Sequence, residues 1–226
     1  MTGHRKNTVH IFDIDHTVIR KSSAEYFVRV ALKNKVIGLS QISRLPADWI
    51  KYKLAHPDMD FIENTVKKLS GIKKTDLDSI AEICFKKYIK PNIYKDAAII
   101  IEGALKKNER VIFATSSFDF IVKPLEEYFN MEESLASVME YKEGLTTGNL
   151  SGYSLFGSKK KTAVEAWMVK NNIPVQDTVF YSDSYTDIPL LEYCGNPVAV
   201  NPDRLLAREA RKRNWNIILF KKVLGK

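Results

Sequence analysis

The chain predicts an α/β fold: a parallel, doubly wound sheet with an all-helical segment inserted after its first strand. Three observations carry this reading. The run Val9-His10-Ile11-Phe12 is largely apolar and of strand type, and it breaks off at Asp13-Ile14-Asp15. After Pro91, short strand-like runs alternate with amphipathic helical stretches, the rhythm of a parallel sheet crossed by helices. Between about residues 22 and 89 the apolar residues recur only at helical spacing.

Each element follows from its own pattern. Val9 to Asp13 reads as a central strand, apolar enough to be buried on both faces. Helices are expected over Ser23–Leu32, Pro46–Leu54, Asp60–Leu69 and Thr75–Ile89, the last capped by Thr75 or Asp76. Ala97–Lys107 is amphipathic, Arg110–Ala114 is a second buried strand, and Phe118–Phe129 is helical, with Pro124 kinking or delaying it. Glu140–Phe156 carries Gly144, Gly148 and Gly152 and reads as a hairpin. Lys159–Asn171 is a helix with Val164, Trp167 and Met168 inward. Thr178–Tyr181 is a strand, Ile188–Cys194 a short helix with Pro189 in its first turn, and Pro197–Val200 a strand. Leu205–Arg213 is helical and Asn216–Phe220 a last strand.

With 226 residues, the chain has room for one domain or a core plus an inserted module. Its 45% hydrophobic and 27% charged residues are ordinary for a globular protein. No apolar run approaches the roughly 20 residues that span a bilayer, and the polar start up to Thr8 lacks a signal-peptide core. Cys84 and Cys194 lie far apart in helical patterns and read as buried thiols, with no Cys/His spacing of the zinc type. The expected location is the cytoplasm. Part of the net charge of +8 is local: Arg204, Arg208, Arg211, Lys212, Arg213, Lys221, Lys222 and Lys226 face one acid, Glu209. Such a run marks either an anionic partner, membrane or nucleic acid, or a solvated helix face. It lacks the aromatic interleaving of single-strand binders, so nucleic acid is the weaker reading. Nothing in the pattern speaks to oligomeric state.

Four groups of residues carry chemistry. Asp13 and Asp15, two apart on an extended chain, project to the same side, and two such carboxylates need a cation, a shared proton or both. With a divalent metal the first serves as nucleophile while the second carries a proton; the alternative is a strand ending in an Asp-rich turn. Thr115-Ser116-Ser117 ends the second strand and is either a phosphate cradle or a helix cap. Lys159-Lys160-Lys161 holds either a cation for a phosphoryl group or only solvated lysines. Asp183 and Asp187 follow the Phe180-Tyr181 strand end and, as hard oxygen donors, suit Mg2+ better than zinc; the alternative is a loop with a cap. All four groups fall at strand ends or at a helix start beside them, where open sheets collect ligands.

Phe12-Asp13-Ile14-Asp15-His16-Thr17, Thr115-Ser116-Ser117, Lys160 and Asp183-Ser184-Tyr185-Thr186-Asp187 resemble, in order, the motifs of the haloacid dehalogenase-like (HAD) phosphatases. The similarity spans residues 9 to about 220 and is nearest the subgroup containing phosphoserine phosphatase. It implies a Rossmann-like three-layer core, residues 1–21 and 90–226, with a helical cap over 22–89. It implies Mg2+-dependent hydrolysis of a small phosphomonoester through an aspartyl-phosphate. Asp13 would be the nucleophile and Asp15 the general acid and base, its main-chain carbonyl on the metal. Thr17 would order the loop at the phosphate site. The Thr115 hydroxyl, the Ser116 N–H, Lys160 and Thr186 would hold phosphate. Asp183 would ligate the metal, and Asp187 would support it or ligate through water. Within its run Lys160 fits the family pattern, in which the lysine follows a glycine by three and precedes apolar residues at +4 and +7, here Gly157, Val164 and Trp167.

The departures bear on substrate. Ser22 stands where phosphoserine phosphatases carry a glutamate for the substrate ammonium. The cap lacks an arginine at the carboxylate-clamping position, and Lys67 and Lys68 do not match its spacing. A substrate other than phosphoserine is therefore expected. Tyr26, Phe27, Trp49, Tyr52 and Phe61 either line the substrate pocket or pack the cap's own core. The competing functions are a phosphotransferase or a lipid or nucleotide phosphatase of the same fold, and a non-catalytic nucleic-acid or membrane binder. Retention of Asp15 argues against the last, because binding alone needs no proton-transfer carboxylate.

Overall fold

The computed structural model describes residues 8–38 and 64–225. Six strands form one parallel sheet: β1 (Val9–Phe12), β2 (Arg110–Phe118), β3 (Ser134–Ser137), β6 (Thr178–Ser182), β7 (Asn196–Val200) and β8 (Asn216–Ile218). Their spatial order is β3-β2-β1-β6-β7-β8. The chain therefore winds outward from β1 to one side, returns, and winds outward from β6 to the other. The winding reverses between β1 and β6, and that gap is where a sheet of this kind opens a crevice beyond its carboxyl ends.

Alternation along β1 explains why it is central. Val9 and Ile11 pack into the core on one face of the sheet and Phe12 into the core on the other, as the two-residue period of a strand requires. The Phe12 ring stacks on Tyr181 of β6 at 4.2 Å between centroids. Phe12, Phe113 and Phe180 are fully buried, each worth about 1.5–3 kcal/mol relative to exposure. One face is covered by α5 (Ser158–Lys170), α6 (Ile188–Tyr193) and α7 (Arg204–Lys212), through Val164, Trp167, Met168, Leu190, Leu191, Leu206 and Ala210. The other is covered by α3 (Lys95–Lys106) and α4 (Asp119–Phe129), through Ala97, Ile101, Ile121 and Leu125. The result is the three-layer, Rossmann-like architecture.

The described part of 22–89 consists of helices joined by turns, with one isolated bridge, Lys73 to Leu145. It contains α1 (Ser23–Lys33) and α2 (Lys74–Cys84), and α2 runs on into a π-turn over Phe85–Ile89 and a 3-10 turn over Lys90–Asn92. Tyr26, Phe27, Leu77, Ile80 and Cys84 join the same buried cluster as Phe113 and Ile101, so this segment packs directly on the sheet's own core. The helix expected over Pro46–Leu54, the first part of that over Asp60–Leu69, and Trp49, Tyr52 and Phe61 lie outside the described residues.

A hairpin, β4 (Met139–Lys142) and β5 (Leu145–Leu150), clasps the insertion. Its two-residue turn, Glu143-Gly144, has both φ angles positive, 51° and 78°, as such tight hairpins require. Thr146 exchanges backbone bonds with Gly71 (2.8 Å) and Ile72 (2.9 Å), and its buried hydroxyl accepts the Ile72 N–H at 2.9 Å and donates to the Leu69 carbonyl. Gly148, at φ 85°, lets this contact close: a Cβ there would come within 3.0 Å of the Ser70 Cβ.

Several boundaries differ from the sequence reading. The cap of α2 is Lys73, in extended conformation, and neither Thr75 nor Asp76 serves. β2 continues past Ala114 to Phe118 because its ladder with β3 resumes at Phe118–Ser137 after a register shift. Pro124 sits inside α4 without ending it. β3 has no apolar signal, since Ser134-Leu135-Ala136-Ser137 is half polar and lies at the sheet edge. Cys84 and Cys194 are both buried and free. Among the described residues, no helix is long and apolar enough to cross a membrane.

Candidate active site

The carboxyl ends of β1 and β6 stand side by side, with Phe12 in register with Tyr181. Asp13 continues the pairing by one bond, its N–H donating to the Tyr181 carbonyl at 2.9 Å, so its position is set by the sheet. The chain then turns sharply: the Thr17, Val18 and Ile19 amides all donate to the Ile14 carbonyl, at 3.3, 2.9 and 3.0 Å. His16 takes φ 60° at the apex, and the turn holds Asp15 beside Asp13.

Lys160 closes the site from below. Its ammonium donates to Asp13 Oδ1 at 2.9 Å and to Asp187 Oδ2 at 2.7 Å, and all three residues are buried. It reaches inward because α5 places it one and two turns before Val164 and Trp167 on the buried face. Lys159 and Lys161 take the solvent side, Lys161 pairing with Glu165 at 2.6 Å. Asp187 Oδ2 also accepts the Ser182 hydroxyl at 2.7 Å. Thr17 Oγ1 donates to Asp183 Oδ1 at 3.4 Å, tying the first loop to the last.

Asp15 is held by the start of the insertion. Its Oδ1 accepts the Ser23 N–H at 2.9 Å and its Oδ2 the Ser22 hydroxyl at 3.0 Å. The Ser23 and Ser117 hydroxyls are 2.8 Å apart, and the Ser117 N–H donates to Thr115 Oγ1 at 3.2 Å. A chain of hydrogen bonds thus runs from Asp15 through the first turn of α1 to Thr115. Thr115 is buried, but it stands in the interrupted stretch of β2 rather than at a helix start; α4 begins only at Asp119, so the expected helix-terminal donors are not beside it. The Ser116 carbonyl accepts from Ser137 Oγ at 3.0 Å. Thr186 lies with its hydroxyl 2.9 Å from Ser184 Oγ in the loop after β6.

The electrostatics follow from burial. Desolvation raises the Asp13 carboxyl to about 7, Asp187 and Asp15 add to the rise, and Lys160 opposes it. Asp15 is raised mainly by burial. Asp183 is raised well above the carboxylate range by burial and then by the charges of Asp13 and Asp187. For Lys160, burial favours the neutral amine, but Asp13 and Asp187 outweigh it and hold the ammonium charged. Four acids therefore share the site with one lysine, an excess of negative charge that a cation relieves.

That donor set is all oxygen. Among the described residues, no three His, Cys, Asp or Glu side chains stand as a ready metal cage. An all-oxygen donor set is the chemistry that a hard dication takes. The structure brings Asp13, Asp15, Thr17, Lys160, Asp183 and Asp187 together, and sets Thr115 and Ser116 in the last part of β2 and Thr186 in a 3-10 turn after β6. One contributor escapes a reading of motifs, Ser182; Ser22, singled out for its place at the substrate position, donates to Asp15. Ser182 had a usable signal, a hydroxyl closing a buried strand immediately before the last acidic motif.

A carboxylate pair thus stands at the switch point of a doubly wound sheet, with a buried lysine between acids. The haloacid dehalogenase-like hydrolase family model matches residues 11–192, and the chain belongs to that family. It is 31% identical to the "Inhibition of morphological differentiation protein" of Streptomyces azureus over 94% of this chain and 78% of the relative. It is 26% identical to the histidinol-phosphatase of Neisseria meningitidis over 93% of this chain and 98% of that one. A substrate-bound phosphoserine phosphatase has the same fold, with TM-score 0.69 at 18% identity over 98% and 96% of the two chains. Family model and fold together set the chain among the haloacid dehalogenase-like hydrolases.

Proposed function

We propose that the protein is a Mg2+-dependent phosphatase that hydrolyses a small phosphomonoester through an aspartyl-phosphate on Asp13. The observation that carries this reading is the bridge of Lys160 between Asp13 and Asp187, buried at the strand ends. An Asp13 oxygen attacks phosphorus, and the bond to the leaving oxygen breaks. Asp15, its carboxyl raised by burial, gives that oxygen its proton. Asp15 then takes a proton from water as the water attacks the phosphoryl group, and phosphate leaves with Asp13 regenerated. Lys160 orients Asp13, favours its ionised form against the effect of burial, and faces the transferring group with a fixed positive charge. Thr115, the Ser116 N–H and Thr186 hold phosphoryl oxygens, and Thr17 orders the first loop.

Asp13, Asp183 and the Asp15 carbonyl would hold Mg2+, with Asp187 supporting them. When bound, the ion supplies charge neutralisation to the phosphoryl group. Residues 22–89 act as the cap that selects the rest of the substrate, on a core of 1–21 and 90–226. Tyr26 and Phe27 pack into the common core, so they support that cap from within. Because the Ser22 hydroxyl is given to Asp15, this position presents no carboxylate to a substrate ammonium. The two free buried thiols are in keeping with a cytoplasmic enzyme.

The test is phosphate release from a panel of phosphoserine, histidinol phosphate, phosphoethanolamine, sugar phosphates, nucleotides and lysophosphatidate, with and without Mg2+. Metal-dependent turnover lost in Asp13→Asn and Asp15→Asn is expected. Turnover that survives Asp13→Asn removes the nucleophile assignment.

A further inference from the structure

We propose that Asp203, in the loop between β7 and α7, is a positioning residue that fixes the Asp183 loop for metal. This inference rests on the function proposed above. Asp183 is the acid carried on the loop after β6; its side chain accepts from Thr17 Oγ1 at 3.4 Å. The loop's backbone also makes short polar links, Ser184 N–H to Ser182 Oγ at 3.1 Å and Thr186 N–H to Ser184 Oγ at 3.3 Å. These two links join the loop to itself and do not set its backbone against the neighbouring loop. Asp203 does. Its own N–H donates to the Asp183 carbonyl at 2.8 Å, and its carboxylate Oδ2 accepts the Tyr185 N–H at 2.7 Å.

Two backbone groups that flank Ser184 are thus taken up by one residue of the neighbouring loop. The other carboxylate oxygen, Oδ1, accepts the Leu206 N–H at 2.8 Å and caps α7. Leu206 is fully buried. The Asp183 backbone is therefore tied through Asp203 to a helix seated on the core. The carboxylate is needed for this because each of its oxygens accepts one backbone N–H, which no other side chain of that length does. Asp203 itself is exposed, at the rim of the site, so its replacement leaves the core packing intact.

The experiment separates the clamp from the cap it also makes. Asp203→Asn keeps one oxygen for Leu206 N–H and turns an amide NH2 toward Tyr185 N–H, so the tie to the loop is lost at constant shape. Asp203→Ser keeps a good N-cap and is too short to serve both partners. Mg2+ binding is followed by calorimetric titration, beside the Mg2+ dependence of turnover and thermal unfolding in EDTA. Both variants are expected to melt near the parent without metal, to bind Mg2+ about 10-fold or more weakly, and to recover most of kcat at saturating Mg2+. Folded variants that take up Mg2+ with the parent's affinity overturn the clamp and leave the proposed function standing. A parent protein that takes up no Mg2+ overturns the proposed function, and the clamp with it.

Discussion

Ser22 gives its hydroxyl to Asp15, at 3.0 Å from Oδ2, instead of capping the helix it precedes. The residue at the start of the insertion is thereby part of the proton-transfer group's environment. Ser22→Ala removes one donor to a carboxylate, a bond worth about 1.5–3 kcal/mol when charged, so a fall in kcat of roughly 10- to 100-fold is expected. Ser22→Glu places a second carboxylate against Asp15 and is expected to be worse. Steady-state kinetics on the best substrate of the panel check both, and equal activity of Ser22→Ala and the parent contradicts the assignment.

Lys160→Met leaves Asp13 and Asp187 facing each other without their shared cation. Removing one partner of a buried ion pair costs about 3–5 kcal/mol, and removing a donor to a transferring group costs about 10²- to 10³-fold in kcat. Urea unfolding and turnover measure the two effects separately. Lys159→Met and Lys161→Met, on the solvent side of α5, are expected to leave both nearly unchanged.

The pH dependence has a definite sign. Asp13 is raised from 3.8 to about 7 in the fold, and Asp15 and Asp183 move the same way. The folded state therefore binds more protons than the unfolded state between about pH 4 and 7, and these groups lose stability as pH rises through that window. The effect is on the order of a few kcal/mol. Mg2+ requires the ionised carboxylates, so the rise in Tm that it produces is expected to be larger at pH 8 than at pH 5.5. Calorimetric scans with EDTA and with Mg2+ at the two values check it, and Asp13→Asn should reduce the difference.

Thr146→Val tests the clasp between the hairpin and the insertion. The Ile72 N–H loses its buried acceptor, at about 1–3 kcal/mol, or several degrees of Tm for a chain of this size. The protein that remains folded should keep its kcat, since Thr146 touches none of the reacting groups.

Much of this was legible in the residues, and particular ones show where legibility stopped. The Val9–Phe12 run and the acids after it carried both strand and site, because burial on two faces and the i, i+2 spacing are local properties. Lys160 was separable from its neighbours because Val164 and Trp167 mark the buried face of the helix. The end of β2 was not legible: Thr115-Ser116-Ser117 looks like a helix start, and only the renewed pairing of Phe118 with Ser137 carries the strand past it. The π-turn at Phe85–Ile89 was hidden for a related reason, since its apolar spacing differs little from that of an α-helix. Asp203 reads locally as a helix cap, which it is; its tie to Asp183 depends on the meeting of two loops far apart in sequence.

The most direct measurement is the covalent state of Asp13. Asp15→Asn, incubated with Mg2+ and p-nitrophenyl phosphate, whose leaving group needs no proton, is quenched in acid and analysed by peptide mass spectrometry. A phosphoryl group on the peptide at Asp13, absent from the Asp13→Asn, Asp15→Asn double variant, is the predicted result. Phosphate release by a parent enzyme that never carries phosphoryl on Asp13 would contradict the mechanism.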